Sequence, residues 1–118
     1  VVAVDSGYEL SIGGNGGIHV RVTDFLCHVN TEAEVLEYAG AYMQLYREEA
    51  RYLERTAPWV ERVGLAHVKS ALVDDEAGRK KLYARFIASQ EALQEDPWAE
   101  RAQGVKDTHE FTPLKIVA

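Results

Sequence analysis

The chain has 118 residues, with 13 Lys and Arg against 19 Asp and Glu and a net charge of −6 with His neutral. That length supports one compact domain, and the acidic balance argues against nucleic-acid binding. The longest uninterrupted apolar run is Val1 to Val4, far short of the ~20 residues a membrane helix needs, and 47% hydrophobic with 27% charged residues is the balance of a folded globule.

The sequence opens inside a strand pattern, Val1-Val2-Ala3-Val4, shows no secretion-signal grammar and carries its one methionine at Met43. A piece of a longer polypeptide is therefore expected. Tyr8 to Ile12 is a second β-favouring run, and Asp5-Ser6-Gly7 between the two suits a tight turn. After Gly13-Gly14-Asn15-Gly16-Gly17, the residues Ile18 to Val22 alternate apolar and polar with a period of two, which predicts a third strand. An antiparallel sheet of about three strands is thus expected within 1–29.

Helical grammar follows over 30–103. Thr31-Glu32-Ala33-Glu34 is a capping box. Val35, Tyr38, Tyr42, Leu45, Tyr46 and Leu53 then recur at helical spacing, predicting one helix to about Arg55. Gly40 inside it costs about 1 kcal/mol relative to Ala, which predicts a close packing contact there. Thr56-Ala57-Pro58 breaks the chain and restarts it as a short helix. Gly64 ends that helix, and Leu65 to Val73 forms another. Asp74-Asp75-Glu76 places carboxylates where the next helix dipole favours them. That helix is predicted to reach Leu93, with Leu82, Phe86 and Leu93 on an apolar side and Arg79, Lys80, Lys81, Gln90 and Glu91 in solvent. Asp96-Pro97-Trp98 starts a last short turn of helix, and 104–118 reads as a tail. The expected class is α+β, a small sheet followed by three to five helices.

Core packing does not explain a run of glycines, because glycine in a strand gives up entropy and contributes no side chain. One reading is a hairpin loop, with Asn15-Gly16 as a type I′ turn. The other is close approach of a flat ligand or cluster to the backbone, with loop N–H groups offered to anionic oxygens. The two are compatible. The loop is neither a dinucleotide fingerprint, which would need glycine at His19, nor a phosphate loop, since no Gly-Lys-Ser/Thr follows. His19 and Arg21, two apart on the predicted strand, would share a face beside the loop and suit carboxylates. No catalytic group and no metal ligand is assigned: His28, His67 and His109 lack zinc-site spacing, and Cys27 with His28 does not make a nucleophile pair. Cys27 alone allows neither an internal disulfide nor a thiolate cluster, so it reads as a small buried hydrophobe in a reducing, cytoplasmic compartment. Tyr38, Tyr42 and Tyr46 share a helix face of core or interface type.

The run Gly7-Tyr8-Glu9-Leu10-Ser11-Ile12-Gly13-Gly14-Asn15-Gly16-Gly17-Ile18-His19-Val20-Arg21 resembles a particular segment of assimilatory NAD(P)H-dependent nitrite reductases. It is the segment just after the last cluster-binding cysteines of the large subunit, in the sirohaem nitrite/sulfite reductase superfamily. The likeness continues through Tyr46-Arg47-Glu48, Glu54 to Gly64, Val73 to Gly78 and Asp96-Pro97-Trp98, covering about residues 1 to 100. It implies a C-terminal fragment of such a subunit. There, electrons pass from NAD(P)H through FAD to a 4Fe-4S cluster coupled to sirohaem, and nitrite becomes ammonia. The family's two cysteine pairs are not in this chain, so the fragment alone is expected to be inactive and to bind no cofactor itself. The resemblance gives Gly13, Gly14, Asn15, Gly16, Gly17, His19 and Arg21 the role of completing the sirohaem pocket, with His19 where some relatives carry lysine. It also implies the rest of the large subunit and the small subunit as partners. Taken alone, such a piece exposes apolar surface and is open to self-association. A rival reading is a non-catalytic module that docks a partner subunit through its tyrosine-striped helix and its tail.

Overall fold

The computed structural model describes residues 1–94 and 96–103. Strands β1 (Val2–Val4), β2 (Gly7–Ile12) and β3 (Asp24–Val29) form an antiparallel sheet in the order β1-β2-β3. Asp5 and Ser6 make the predicted turn between the first two.

The third strand is not where the alternation placed it. Ile18, Val20 and Val22 are 97%, 78% and 83% exposed on a loop, and β2 pairs instead with Asp24–Val29. The ladder skips Leu26, because Leu10 faces Cys27 while Ser11 faces Phe25. This β-bulge leaves both Leu26 and Cys27 buried, which erases the period-two pattern from the true strand.

The helical region comprises α1 (Glu32–Glu49), α2 (Thr56–Val63), α3 (Leu65–Lys69), a π-helical turn (Ser70–Asp74), α4 (Glu76–Ala92) and α5 (Pro97–Ala102). The expected α+β arrangement is therefore present. Thr31 caps α1, its hydroxyl accepting from the Glu34 amide at 3.2 Å and donating to the Glu34 carboxylate at 3.1 Å. Asp75 caps α4 by accepting from the Gly78 amide, and Asp96 caps α5. Each cap satisfies amides that have no partner within the helix.

Three expectations for side chains are corrected. First, α1 stops at Glu49 and not near Arg55, and Leu53 is 82% exposed with φ of +62°. The reason is a tied loop: the Glu54 carboxylate accepts from the Arg51 amide and from Arg62, and the Tyr46 hydroxyl donates to the Glu54 carbonyl. Second, Arg79 is not solvated. Its side chain is 11% exposed, donates to Glu37 at 2.7 Å and to the Leu72 carbonyl at 2.8 Å, and lies over the Tyr38 ring. The Leu72 carbonyl lies in the π turn, and Arg79 gives it a side-chain donor. Third, Leu93 is 72% exposed, since α4 ends at Ala92 and the chain turns away.

The core lies between the sheet, α1 and α2 and extends to the π turn and α4. Trp59, Val60, Val68 and Leu72 are fully buried in it. The rest of the tyrosine stripe behaves as predicted, with Tyr42 and Tyr46 packing tilted against Trp59 at centroid distances of 5.7 and 5.6 Å. Gly40 marks the close crossing of α1 and α4, where a Cβ would stand 2.7 Å from the Tyr83 ring and 2.9 Å from Phe86.

The hydrogen bond from Arg62 is the chief reason the Glu54 carboxyl titrates far below its ordinary 4.5, at about 2. A carboxylate whose pKa is depressed by folding stabilises the fold fully above its unfolded value, and the contribution disappears as pH falls through the folded one. Glu54→Gln is therefore expected to flatten the loss of stability between about pH 4.5 and about pH 2. It should not abolish it, because Glu48 and Glu76 are also held low by Arg85 and Lys80. Urea midpoints across that window check this, and parallel curves for the two proteins would refute it.

Candidate functional site

The loop of residues 13–23 leaves β2 and returns to β3 against α2. Its neck is closed by one bridge, in which Asn15 and Arg21 exchange both backbone hydrogen bonds at 2.9 Å. Beyond the neck, Asn15 organises the tip: its Nδ2 donates to the His19 carbonyl at 2.7 Å and its Oδ1 accepts from the Gly17 amide at 3.2 Å. Neither Asn15 nor Gly16 has a positive φ, so the type I′ turn is not formed. The Asn15 side chain makes the bonds a two-residue turn would make through its backbone, and the loop is wider for it.

The glycines divide into two kinds. Gly13 has φ of +72°, and a Cβ there would meet the Arg21 guanidinium at 2.8 Å and Val60 at 3.1 Å. A Cβ on Gly14 would stand 2.6 Å from the Thr23 methyl. These two are glycine so that the neck packs onto α2 and onto itself. Gly16 is different, because a Cβ there would have no neighbour within 4 Å and its φ is one any residue adopts. Nothing among the described residues requires that position to be bare.

Arg21 fastens the loop. Its Nε donates to Glu61 at 3.1 Å, its NH1 to the Gly13 carbonyl at 2.8 Å and its NH2 to Asp24 at 2.7 Å. The Asp24 hydrogen bond is the leading reason its guanidinium is more basic than usual. The sequence pairs Arg21 with His19 on one strand face. In the structure His19 is exposed at the loop tip while Arg21 is turned into the neck, yet both line one cleft of about 90 Å³ with Asn15, Val20, Pro58 and Glu61. Sequence reasoning missed Asp24 and Glu61, the carboxylates that hold Arg21. Neither carries a spacing signal, and Glu61 lies 40 positions away on another element. Beneath the loop, the Tyr42 hydroxyl faces the Gly13 amide and the Thr56 hydroxyl outside hydrogen-bonding geometry, and burial pushes its pKa up.

Cys27 is buried, and burial likewise raises its thiol pKa, so it stays a protonated packing group. Among the described residues no group of three or more His, Cys, Asp or Glu side chains is placed to hold a metal ion. No helix among them is long and apolar enough to cross a membrane. The 104–118 tail and His109 lie outside the described residues.

Comparison with known proteins adds lineage to this geometry. Residues 1–81 match the family described as the nitrite and sulphite reductase 4Fe-4S domain. The chain is 55% identical over 98 residues, 83% of its length, to a nitrite reductase [NAD(P)H] of Bacillus subtilis. It is 32% identical over 80 residues, 66% of its length, to the nitrite reductase (NADH) large subunit of Escherichia coli. It is 27% identical over 73 residues, 62% of its length, to an assimilatory-type sulfite reductase of Nitratidesulfovibrio vulgaris. The chain spans only 12%, 9% and 34% of those relatives in turn. No solved structure matches it.

Proposed function

Because this chain belongs to the nitrite and sulphite reductase 4Fe-4S domain family, we propose that it is the C-terminal part of a nitrite reductase large subunit. Its 13–23 loop forms one wall of the sirohaem pocket. The observation that carries this reading is Gly16, a bare backbone position on an exposed loop that the packing of the described residues does not use.

The residues present fit that group in one way and not in another. The Gly16-Gly17 step, with a Gly16 amide that has no partner among the described residues, suits the rim of a flat macrocycle bearing carboxylates. The 90 Å³ cleft beside it holds a few waters or a small ion and not a macrocycle, so contact is made by the outer rim of the loop. An iron–sulfur cluster is not fitted, because Cys27 is the one cysteine and it is buried. No step is therefore assigned through a cluster on this chain. When bound, sirohaem supplies the iron at which nitrite takes six electrons and becomes ammonia, with electrons delivered from NAD(P)H and FAD elsewhere in the enzyme.

This chain's residues hold and shape. The Gly16 and Gly17 backbone would let the group approach without meeting a side chain at those two positions. His19 offers a ring at the tip that acts as donor or acceptor according to its protonation. Arg21 spends most of its donors within the chain and so acts mainly by fixing the loop, sharing charge with a carboxylate only where Glu61 yields. The partners on this reading are the remainder of the large subunit and the small subunit. The rival docking-module reading uses the tyrosine face of α1 and the tail: Tyr42 and Tyr46 on that face pack on Trp59, and the tail lies outside the described residues.

In the full-length subunit, Gly16→Ala is expected to leave folding stability within about 0.5 kcal/mol of the parent and to lower sirohaem content severalfold. The readout is haem absorbance per polypeptide. Arg21→Ala should lower both, because the clasp on Glu61 and Asp24 goes with it. A Gly16→Ala enzyme with full sirohaem content would remove the loop tip from the pocket.

A further inference from the structure

The loop of residues 50–55 has properties that its own fold does not use. Tyr52 and Leu53 are 94% and 82% exposed, two large apolar side chains adjacent in sequence. Leu53 is the one non-glycine residue with positive φ among those described, a conformation that a residue with a Cβ adopts against its steric preference. The loop is not slack. Glu54 is tied to Arg62 at 2.8 and 2.9 Å and to the Arg51 amide at 3.2 Å, Tyr46 holds the Glu54 carbonyl, and Arg62 reaches the Glu49 carbonyl. A fixed, strained loop that presents bare apolar groups to water costs the chain stability, and such strain collects where something is recognised.

The charge around this tip is only partly matched: Glu54 is paired with Arg62 and is also acted on by Arg51. Arg21, Arg62, Arg79 and Arg85 are each in ion pairs, whereas Arg51 and Arg55, both exposed, have no ion pair among the described residues of this net-acidic chain. Between them opens a recess of about 490 Å³ lined by Tyr46, Arg51, Leu53, Glu54, Arg55 and Thr56.

We propose that Tyr52 and Leu53 form a docking knob for an apolar hollow edged with carboxylates, one of which enters the recess between Arg51 and Arg55. The hollow belongs to the part of the large subunit outside this chain. This rests on the reading of the chain as part of a longer reductase polypeptide, and three observations select that occupant. Arg55, which has no ion pair among the described residues, together with Arg51, which meets Glu54 only through its amide and at longer range, suits a carboxylate rim. The relatives are long enough to supply one, since the chain spans 12% and 9% of two of them. The recess adjoins the glycine-loop cleft across the first turn of α2, with Thr56 lining one and Ala57 and Pro58 the other, so one covering body reaches both.

The test places the photo-crosslinker p-benzoylphenylalanine at Tyr52 in the full-length subunit and maps the adduct by mass spectrometry. The expected adduct lies in the same polypeptide, outside these 118 residues, on a segment bearing Asp or Glu beside apolar residues. Charge reversal by Arg51→Glu with Arg55→Glu should lower its yield by about tenfold or more. Leu53→Gly should also lower it while sparing the fold, because glycine accepts the positive φ. Adducts confined to this chain, to a second copy or to the small subunit overturn the proposal, as does an absent adduct or a yield unchanged in the variants. Sirohaem content and nitrite turnover are measured alongside. Both intact without the adduct defeats the docking alone, and the adduct without either defeats the pocket reading alone.

Discussion

Trp59→Ala is expected to remove about 3–5 kcal/mol of folding stability, the range seen for large aromatic deletions from packed cores. Trp59 has no exposed surface and is flanked by Tyr42 and Tyr46, with Val60, Val68 and Leu72 fully buried in the same cluster. Its neighbours on α2 carry the loop: Val60 lies against Gly13 and Glu61 holds Arg21. Collapse around the missing indole would therefore loosen the glycine loop as well as the core. Domains of this kind are stable by only about 5–15 kcal/mol in total, so the variant should unfold at a much lower urea midpoint, followed by far-UV circular dichroism. Trp59→Phe should cost substantially less. Part of the volume remains, and the Trp59 Nε1 has no hydrogen-bond partner in the structure to forfeit. Equal midpoints for the two variants would show that the ring contacts are not what stabilises this site.

Gly40→Val should cost about 2–3 kcal/mol, the upper part of the range for overpacking a close contact. On an exposed helix surface the same change would be mildly favourable, because glycine is the poorest helix former after proline. Here the first added carbon already meets the Tyr83 ring at 2.7 Å and Phe86 at 2.9 Å, and the branched methyls add to the crowding. Those two rings stack on one another at 6.5 Å, so neither moves without the other. Gly40→Ala should fall between, its smaller clash partly offset by about 1 kcal/mol of helix propensity. Pairing Gly40→Val with Tyr83→Ala should give a combined loss smaller than the sum of the two, by about 0.5–3 kcal/mol as for residues in contact. Strict additivity would place the clash elsewhere.

What was legible in the sequence is what local chemistry determines. Thr31 and Asp96 act as caps because their side chains satisfy amides within three positions, Gly64 takes the positive φ that ends α2, and the oddity of glycine at 40 announced a crossing. Features set by distant partners were not legible. The strand Asp24–Val29 hides behind a bulge that exists only in register with Leu10 and Ser11. Arg79 looks like any solvent-facing cation until Glu37 arrives from 42 positions away. The glycine loop was visible as an oddity of the sequence, but which glycines serve packing depends on Val60 and Thr23. That distinction turns attention from Gly13 to Gly16 and changes Arg21 from a free cation into a clasp.

The outermost strand has a practical consequence. Among the described residues β1 pairs with β2 on one side only, and Val2 and Val4 on it are 58% and 37% exposed. Its other border is a row of main-chain donors and acceptors with β-branched residues between them, the template on which extra strands add and ribbons grow. Preparations of this polypeptide with that border open will be governed by concentration and time, and a fusion that lays one more strand along it is the direct remedy.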